Sequence, residues 1–238
     1  MEKENSIQIY DFKDINCFDR DLYFEKITRD GYMFARFNES IDFLRLISLV
    51  GIPHSHNGNG VYLWDIKPQP GETSKTVARS QTMEEFVFHT DCAFEIPPPK
   101  YVALYVVHPD ENGGGISQMI DFAKVIPQLK PESVTALKQD FKVKIPKEFM
   151  KDREYSIGPI IIGNNQLSYR RDCIVDTDFN QSQRDAIDDL EICLSNTDIV
   201  QSIAIPKGTV FFLDNRRFLH ARTEIKDLKR HLQRVRYN

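Results

Sequence analysis

Phe86-Val-Phe-His-Thr-Asp91 is a short apolar and aromatic run carrying one imidazole and one carboxylate. Its composition is that of a β-strand. Side chains on a strand alternate faces with a period of two, so His89 and Asp91 point to the same side. An imidazole and a carboxylate converging at a strand end make two-thirds of a facial metal site. The third ligand must come from elsewhere, and His220 in Phe211-Phe-Leu-Asp-Asn-Arg-Arg-Phe-Leu-His220 is the best candidate. Two histidines and one carboxylate with open positions suit a non-haem Fe(II) oxygenase. A His-x-Asp pair by itself is commonplace, and His220 alone would more often be a core histidine. The rest of the chain has to raise the reading.

Around that strand the chain reads as many short strands with a few helices. Strands are expected over Ser6–Tyr10, Tyr32–Phe37, Val61–Lys67, Tyr101–Val107, Ile116–Ile120, Val200–Ile205, Thr209–Leu213, Phe218–Ala221 and Leu232–Tyr237. Pro159–Ile162 and Gln166–Arg170 flank Gly163-Asn-Asn165, a hairpin signal. Helices are expected over Asp19–Asp30, after Ser40, over Phe122–Leu129 and Pro131–Phe141, and over Ser182–Ser195. Ser182 and Asp185 give the last of these a start resembling a capping box. Lys147–Gly158 is aperiodic and reads as a loop. His54 and His56 lie in a Gly- and Asn-rich turn, where an exposed polar loop outweighs a metal site. The pattern predicts a mainly β chain with flanking helices, a jelly-roll, cupin-like barrel. No repeat or linker divides it, so one domain over 1–238 is expected.

Composition narrows the function classes. The chain has 238 residues, 41% hydrophobic and 28% charged, which excludes global disorder and suits one sizeable core. A net charge of −4 argues against a general nucleic-acid surface. The opening Met-Glu-Lys-Glu-Asn lacks the apolar region of a signal peptide, and no apolar stretch approaches the roughly 18 residues of a membrane span. Cys17, Cys92, Cys173 and Cys193 have no regular spacing and read as reduced thiols. A cytoplasmic protein without membrane or nucleic-acid partners is expected; its oligomeric state is open.

Arg230 and Arg234 are four residues apart near the C-terminus, and on a strand they share a face with Arg236. Arginines along an inward face are costly unless they meet anions. A guanidinium grips a carboxylate in bidentate fashion, so a metal site beside such an arginine suits a dicarboxylate cosubstrate. Either an anionic group of the substrate or an internal carboxylate must answer the remaining charge, and Asp214 and Glu224 are the internal candidates. Arg216, Arg217 and Arg222 read as turn and surface charges, and Arg170 and Arg171 either flank the substrate mouth or form a structural ion pair with Asp172.

His89-Thr-Asp91, Gly114-Gly-Ile-Ser117, Asp214-Asn-Arg-Arg-Phe-Leu-His220-Ala-Arg-Thr and Arg230-x-x-x-Arg234 occur in this order. The ordered set resembles the taurine dioxygenase and clavaminate synthase-like superfamily of Fe(II)- and 2-oxoglutarate-dependent oxygenases, from about Val61 to the C-terminus. The resemblance implies a double-stranded β-helix with iron at one mouth. It implies His89, Asp91 and His220 as iron ligands and Arg230 as the grip on the distal carboxylate of 2-oxoglutarate. Ser117 would hydrogen-bond that cosubstrate where the family commonly has threonine, and serine keeps the hydroxyl. Arg234 matches a second family arginine, which supports the cosubstrate or an acidic group of the substrate. The implied reaction consumes dioxygen, converts 2-oxoglutarate to succinate and CO₂, and hydroxylates or otherwise oxidises an unactivated C–H bond. The expected substrate is an amino acid or another small acid. Two alternatives stand beside it: an oxygenase for a protein or peptide side chain, and a non-catalytic cupin-like metal-binding protein.

Overall fold

In a computed structural model the described residues are 7–55 and 60–238. Ser6 and His56, which figure in the sequence expectations, lie outside them. In chain order the strands are β1 Ile9–Phe12, β2 Tyr32–Phe37, β3 Pro53–His54, β4 Trp64–Ile66 and β5 Phe86–His89. They continue with β6 Tyr101–His108, β7 Ser117–Asp121, β8 Phe141–Lys144, β9 Tyr155–Gly158 and β10 Ile161–Gly163. The last five are β11 Gln166–Leu167, β12 Gln201–Ile203, β13 Thr209–Asp214, β14 Phe218–Arg222 and β15 His231–Tyr237. The helices are α1 Arg20–Arg29, α2 Phe43–Ser48, α3 Phe122–Val125, α4 Pro131–Ala136 and α5 Gln181–Leu194.

Two main sheets result. The larger runs β1-β2-β13-β6-β15-β3 with β4 also on β15, and the smaller runs β12-β7-β14-β5. All pairs are antiparallel except β1 with β2. Alternation along the strands decides what each face covers. In β13, Phe211 and Leu213 face the smaller sheet with Phe34 of β2, packing against Met119 and Phe218. Phe34 and Phe211 stack with ring centroids 4.4 Å apart. Val210 and Phe212 point the other way with Met33 and Ala35, under Tyr23 and Ile27 of α1 and Leu46 and Ile47 of α2. The outer face of the smaller sheet, with Ile120 and Leu219, is covered by Phe122, Ala186, Ile187 and Leu190. Both faces of the central strands are buried, which is why β13 reads as an unbroken apolar run.

The architecture is thus a jelly-roll-like sandwich of two facing sheets with helices outside. The sheets of the described residues stay open, whereas a barrel was expected. Two local expectations also change. The helix expected over Pro131–Phe141 stops at Ala136, because Phe141 and Val143 alternate with Lys142 and Lys144 and bury two apolar side chains as β8. Its partner β9 lies inside the expected loop, with Ser156 buried and Ile157 64% exposed, so pairing and not its own pattern makes it a strand. The capping box of α5 is Asn180 with Gln183, since Asn180 has the extended backbone and accepts from Gln183 N at 2.9 Å. No helix among the described residues is long and apolar enough to cross a membrane.

Candidate metal centre

β5 ends at His89, and β14 places His220 directly opposite it in register. Asp91 lies two residues beyond the strand, in a turn where Cys92 takes a φ of 54°. The same-side arrangement expected from strand parity is therefore reached through a turn. Asp91 Oδ1 lies 3.7 Å from His89 Nε2 and 3.8 Å from His220 Nε2. One ligand atom from each of the three residues falls within 4.8 Å of the others, and all three residues are buried. His89 Nδ1 donates to Val87 O at 2.8 Å, which leaves Nε2 with its lone pair towards Asp91. Phe86 stacks flat on the His89 ring at 3.7 Å and fixes its plane.

The backbone of Asp91 is clamped by Asn215, a residue the sequence reading passed over. Asn215 Oδ1 accepts from Asp91 N at 2.7 Å, and its Nδ2 donates to Asp91 O at 3.0 Å and Pro99 O at 2.9 Å. A buried asparagine placed between two turns in this way holds the ligand loop at a fixed height over β14.

Charge completes the site. Arg236 Nε donates to Asp91 Oδ2 at 2.8 Å, and Arg234 Nη1 straddles the carboxylate at 3.3 Å from each oxygen. Asp91 thus answers the arginines for which Asp214 and Glu224 were the internal candidates beside a substrate anion. Asp214 is spent on the backbone N–H groups of Arg216 and Arg217, and Glu224 is exposed. Burial acts to raise the Asp91 carboxyl, but the Arg234 and Arg236 guanidinium groups hold it well below the usual carboxylate range. Burial, helped by His89, pushes the His220 imidazole down to about 3, and burial lowers His89 as well. Two neutral imidazoles and one carboxylate are the protonation states a divalent metal requires, and the donor set fits one.

Arg230 precedes β15, where the pairing with β6 slips between His231 and Leu232. Its guanidinium lines one cavity together with Ser117, His89, His220 and Arg234. It is 4% exposed, and its Nη1 has no hydrogen-bond partner among the described residues. Burial lowers Arg230 to about 10, with Asp110 opposing; it remains cationic at neutral pH. A buried cation with an orphaned donor, facing a cavity that opens on the triad, fits a carboxylate. Arg222 is not the surface charge expected but is buried and saturated by carbonyls, donating to Glu84 O at 2.5 Å and Thr82 O at 2.6 Å. Arg170 forms the expected bidentate pair with Asp172, at 2.9 and 3.0 Å, while Arg171 turns to Asp176.

Residues 33–236 match the sequence profile of a family described as taurine catabolism dioxygenase TauD, TfdA family. The chain is 25% identical over 169 residues to L-asparagine oxygenase of Streptomyces coelicolor (strain ATCC BAA-471 / A3(2) / M145), a match covering 70% of this chain and 50% of that protein. It therefore spans about half the length of that curated relative. Among solved structures, asparagine oxygenase in complex with Fe(II), 2S,3S-3-hydroxyasparagine and succinate superimposes with a TM-score of 0.78. The identity there is 19%, covering 94% of this chain and 81% of that one. The non-heme iron oxygenase OrfP in complex with Fe and alpha-ketoglutaric acid gives a TM-score of 0.72 at 18% identity, covering 92% and 78%. These two likenesses concern the fold.

Proposed function

The chain belongs to the taurine catabolism dioxygenase TauD, TfdA family, and on that premise we propose that it is an Fe(II)- and 2-oxoglutarate-dependent dioxygenase. Its substrate is an amino acid or other small acid, hydroxylated at an unactivated C–H bond. The observation that carries this is the conjunction of the His89, Asp91 and His220 donors with the orphaned Arg230 guanidinium in one cavity. His89, Asp91 and His220 would hold the iron. Arg230 would take the distal carboxylate of 2-oxoglutarate, with the Ser117 hydroxyl beside it. Bound together, iron and 2-oxoglutarate would allow dioxygen to act as the oxidant, with oxidative decarboxylation of 2-oxoglutarate supplying two electrons, so that one oxygen atom would end in succinate and the other in the substrate hydroxyl, with release of CO₂.

The chain's own groups do the rest. Phe86 and Val87 hold the His89 ring in plane and tautomer, and Asn215 holds the Asp91 backbone. Arg234 and Arg236 keep the Asp91 carboxylate ionised, and Arg234, whose Nε has no hydrogen-bond partner among the described residues, lines a second cavity together with Arg170 and Phe149. Arginines outnumber the acidic side chains Asp91 and Glu148 in that lining, which supports a substrate that carries its own carboxylate. Among the described residues, every strand from residue 9 to residue 237 belongs to the two main sheets or to a two-stranded hairpin, which supports one oxygenase domain over 1–238. The free thiols Cys17, Cys92, Cys173 and Cys193 support a cytoplasmic location.

The test is an anaerobic titration of the purified chain with Fe(II) and then 2-oxoglutarate, followed by a succinate-release screen over amino acids and small acids. One Fe(II) per chain, saturable 2-oxoglutarate binding and substrate-stimulated succinate release are expected. An iron-loaded chain that does not bind 2-oxoglutarate would overturn the proposal.

A further inference from the structure

Arg230 is placed by its surroundings more than by its own contacts. It follows β14 through a loop, 223–230, that is stitched to the turn 110–116 between β6 and β7. Gly115 N donates to Glu224 O at 2.7 Å, and Thr223 N to Ile116 O at 3.0 Å. Asn112 Nδ2 reaches Lys226 O at 3.2 Å. At the centre of the seam is the Asp110 carboxylate. Its Oδ1 accepts from Asn112 N at 3.0 Å and Gly114 N at 3.1 Å, within its own turn. Its Oδ2 accepts from Lys226 N at 2.7 Å and Asp227 N at 3.1 Å, within the arginine's loop. Arg230 N in turn donates to Asp227 O at 3.1 Å. One side chain therefore ties both segments through four backbone donors, and only a short turn separates those donors from the guanidinium.

The packing is as close as the hydrogen bonding. A Cβ at Gly115, whose φ is +60°, would lie 2.7 Å from Arg230 Nε and 3.3 Å from Asp110 Cβ. The arginine stem thus rests on bare backbone beside Asp110. A second buried cation, Arg222, lines the same cavity, and its charge is met by carbonyl oxygens. Asp110 supplies the opposing charge felt by Arg230, yet the two form no ion pair within 4.0 Å among the described residues. A carboxylate in contact with the guanidinium would compete with a ligand for its donors. One held back by backbone N–H groups balances the charge and leaves Nη1 open.

We infer that Asp110 is a positioning residue for cosubstrate binding: it fixes the Arg230 loop and sets the guanidinium against Gly115, facing the cavity. This rests on the dioxygenase reading above. The probes are 2-oxoglutarate and 2-oxovalerate, which has a methyl group in place of the distal carboxylate. Binding of each to the anaerobic Fe(II)-loaded protein is measured by calorimetry. In Asp110→Asn the dissociation constant for 2-oxoglutarate should rise about tenfold, that for 2-oxovalerate should stay within about twofold, and iron content should not change. In Arg230→Ala the same Asp110→Asn change should have no further effect on 2-oxoglutarate, because the two act as one unit. Gly115→Ala, which displaces the same guanidinium, should reproduce the selective loss and serves if Asp110→Asn does not fold. Equal weakening of both ligands, or additive effects in the double variant, would overturn the inference. Failure of the unmodified protein to bind 2-oxoglutarate would instead strike at the dioxygenase reading.

Discussion

Arg236 Nε meets Asp91 Oδ2 at 2.8 Å, while the other oxygen, Oδ1, faces both histidines. The carboxylate is divided: one oxygen belongs to the triad and the other is held by a guanidinium. Arg236→Ala releases that second oxygen and lets the carboxylate rotate. Iron affinity should fall about 10- to 100-fold, with Arg236→Lys intermediate because it keeps the charge but not the directed Nε donor. Competition with a chelator measures this, and unchanged affinity would reduce Arg236 to packing.

Asp91 also carries the electrostatics of the ligand-free fold. Asp91→Ala should abolish iron binding and also cost about 3–5 kcal/mol of stability in metal-free protein, since two buried guanidinium groups lose their counter-charge. His220→Ala should abolish iron binding at much smaller cost, because the imidazole is neutral. Denaturant unfolding of the two apo variants checks the difference. Equal losses would mean that Arg234 and Arg236 find other partners.

Arg230 behaves in the opposite sense. Arg230→Ala should weaken 2-oxoglutarate about 10- to 150-fold, the equivalent of about 1.5–3 kcal/mol for a charge-assisted pair, and leave iron unaffected. Arg230→Met should leave the ligand-free protein as stable or more stable, because it replaces a buried cation with an orphaned donor by an apolar chain of similar reach. If Arg234→Ala has the larger effect on 2-oxoglutarate, the two arginines have exchanged roles.

The cationic lining makes a statement about substrates. In a succinate-release assay, a preferred free amino acid should turn over at least tenfold faster than its amide, as expected when a charge-assisted contact of about 1.5–3 kcal/mol is lost. Arg234→Ala should erase the difference. Equal turnover of acid and amide by the unmodified protein would assign Arg234 and Arg236 to holding Asp91 alone.

Asn215→Ala leaves the Asp91 N–H and two carbonyls without their partner in a fully buried place. A loss of about 2–4 kcal/mol in stability and a measurable drop in iron affinity are expected. Thermal unfolding with and without Fe(II) reads both. An iron affinity equal to that of the unmodified protein would confine Asn215 to folding.

The sequence made the β architecture legible because β2, β6 and β13 are apolar and aromatic runs of strand length and β15 alternates at its start. It made the triad legible because chemically distinctive residues cannot be replaced by generic apolar ones. What it hid has physical causes. β9 has Ser156 inside and Ile157 outside, so its pattern argues against the strand that pairing with β8 creates. Asp91 satisfies two arginines from a turn, and no periodicity locates a turn residue's side chain. Arg222 looks like any exposed arginine in the sequence, because its partners are backbone carbonyls, which every residue possesses. Asn215 was within the motif stretch, but an asparagine beside an aspartate reads as turn chemistry until its partner 124 residues away is seen.

The pairing of β5 with β14 also has a consequence for how the chain is assembled. Among the described residues β5 ends its sheet beside β14, with a single bridge from His89 to Arg170 on its other side, and β14 arrives from the last quarter of the chain. No local segment can therefore preform the centre: the ligands meet only when His220 pairs with His89, 131 positions earlier in the chain. Pairing between strands so far apart in sequence is a slow class of step for a sheet protein. A metal held by His89, Asp91 and His220, as proposed, would act as a rivet through that edge. It rewards closure that the chain has already achieved and slows its reopening without hastening its formation. Amide exchange at Phe88 and Leu219 should slow on Fe(II) binding, while refolding should proceed at the same rate with or without the ion.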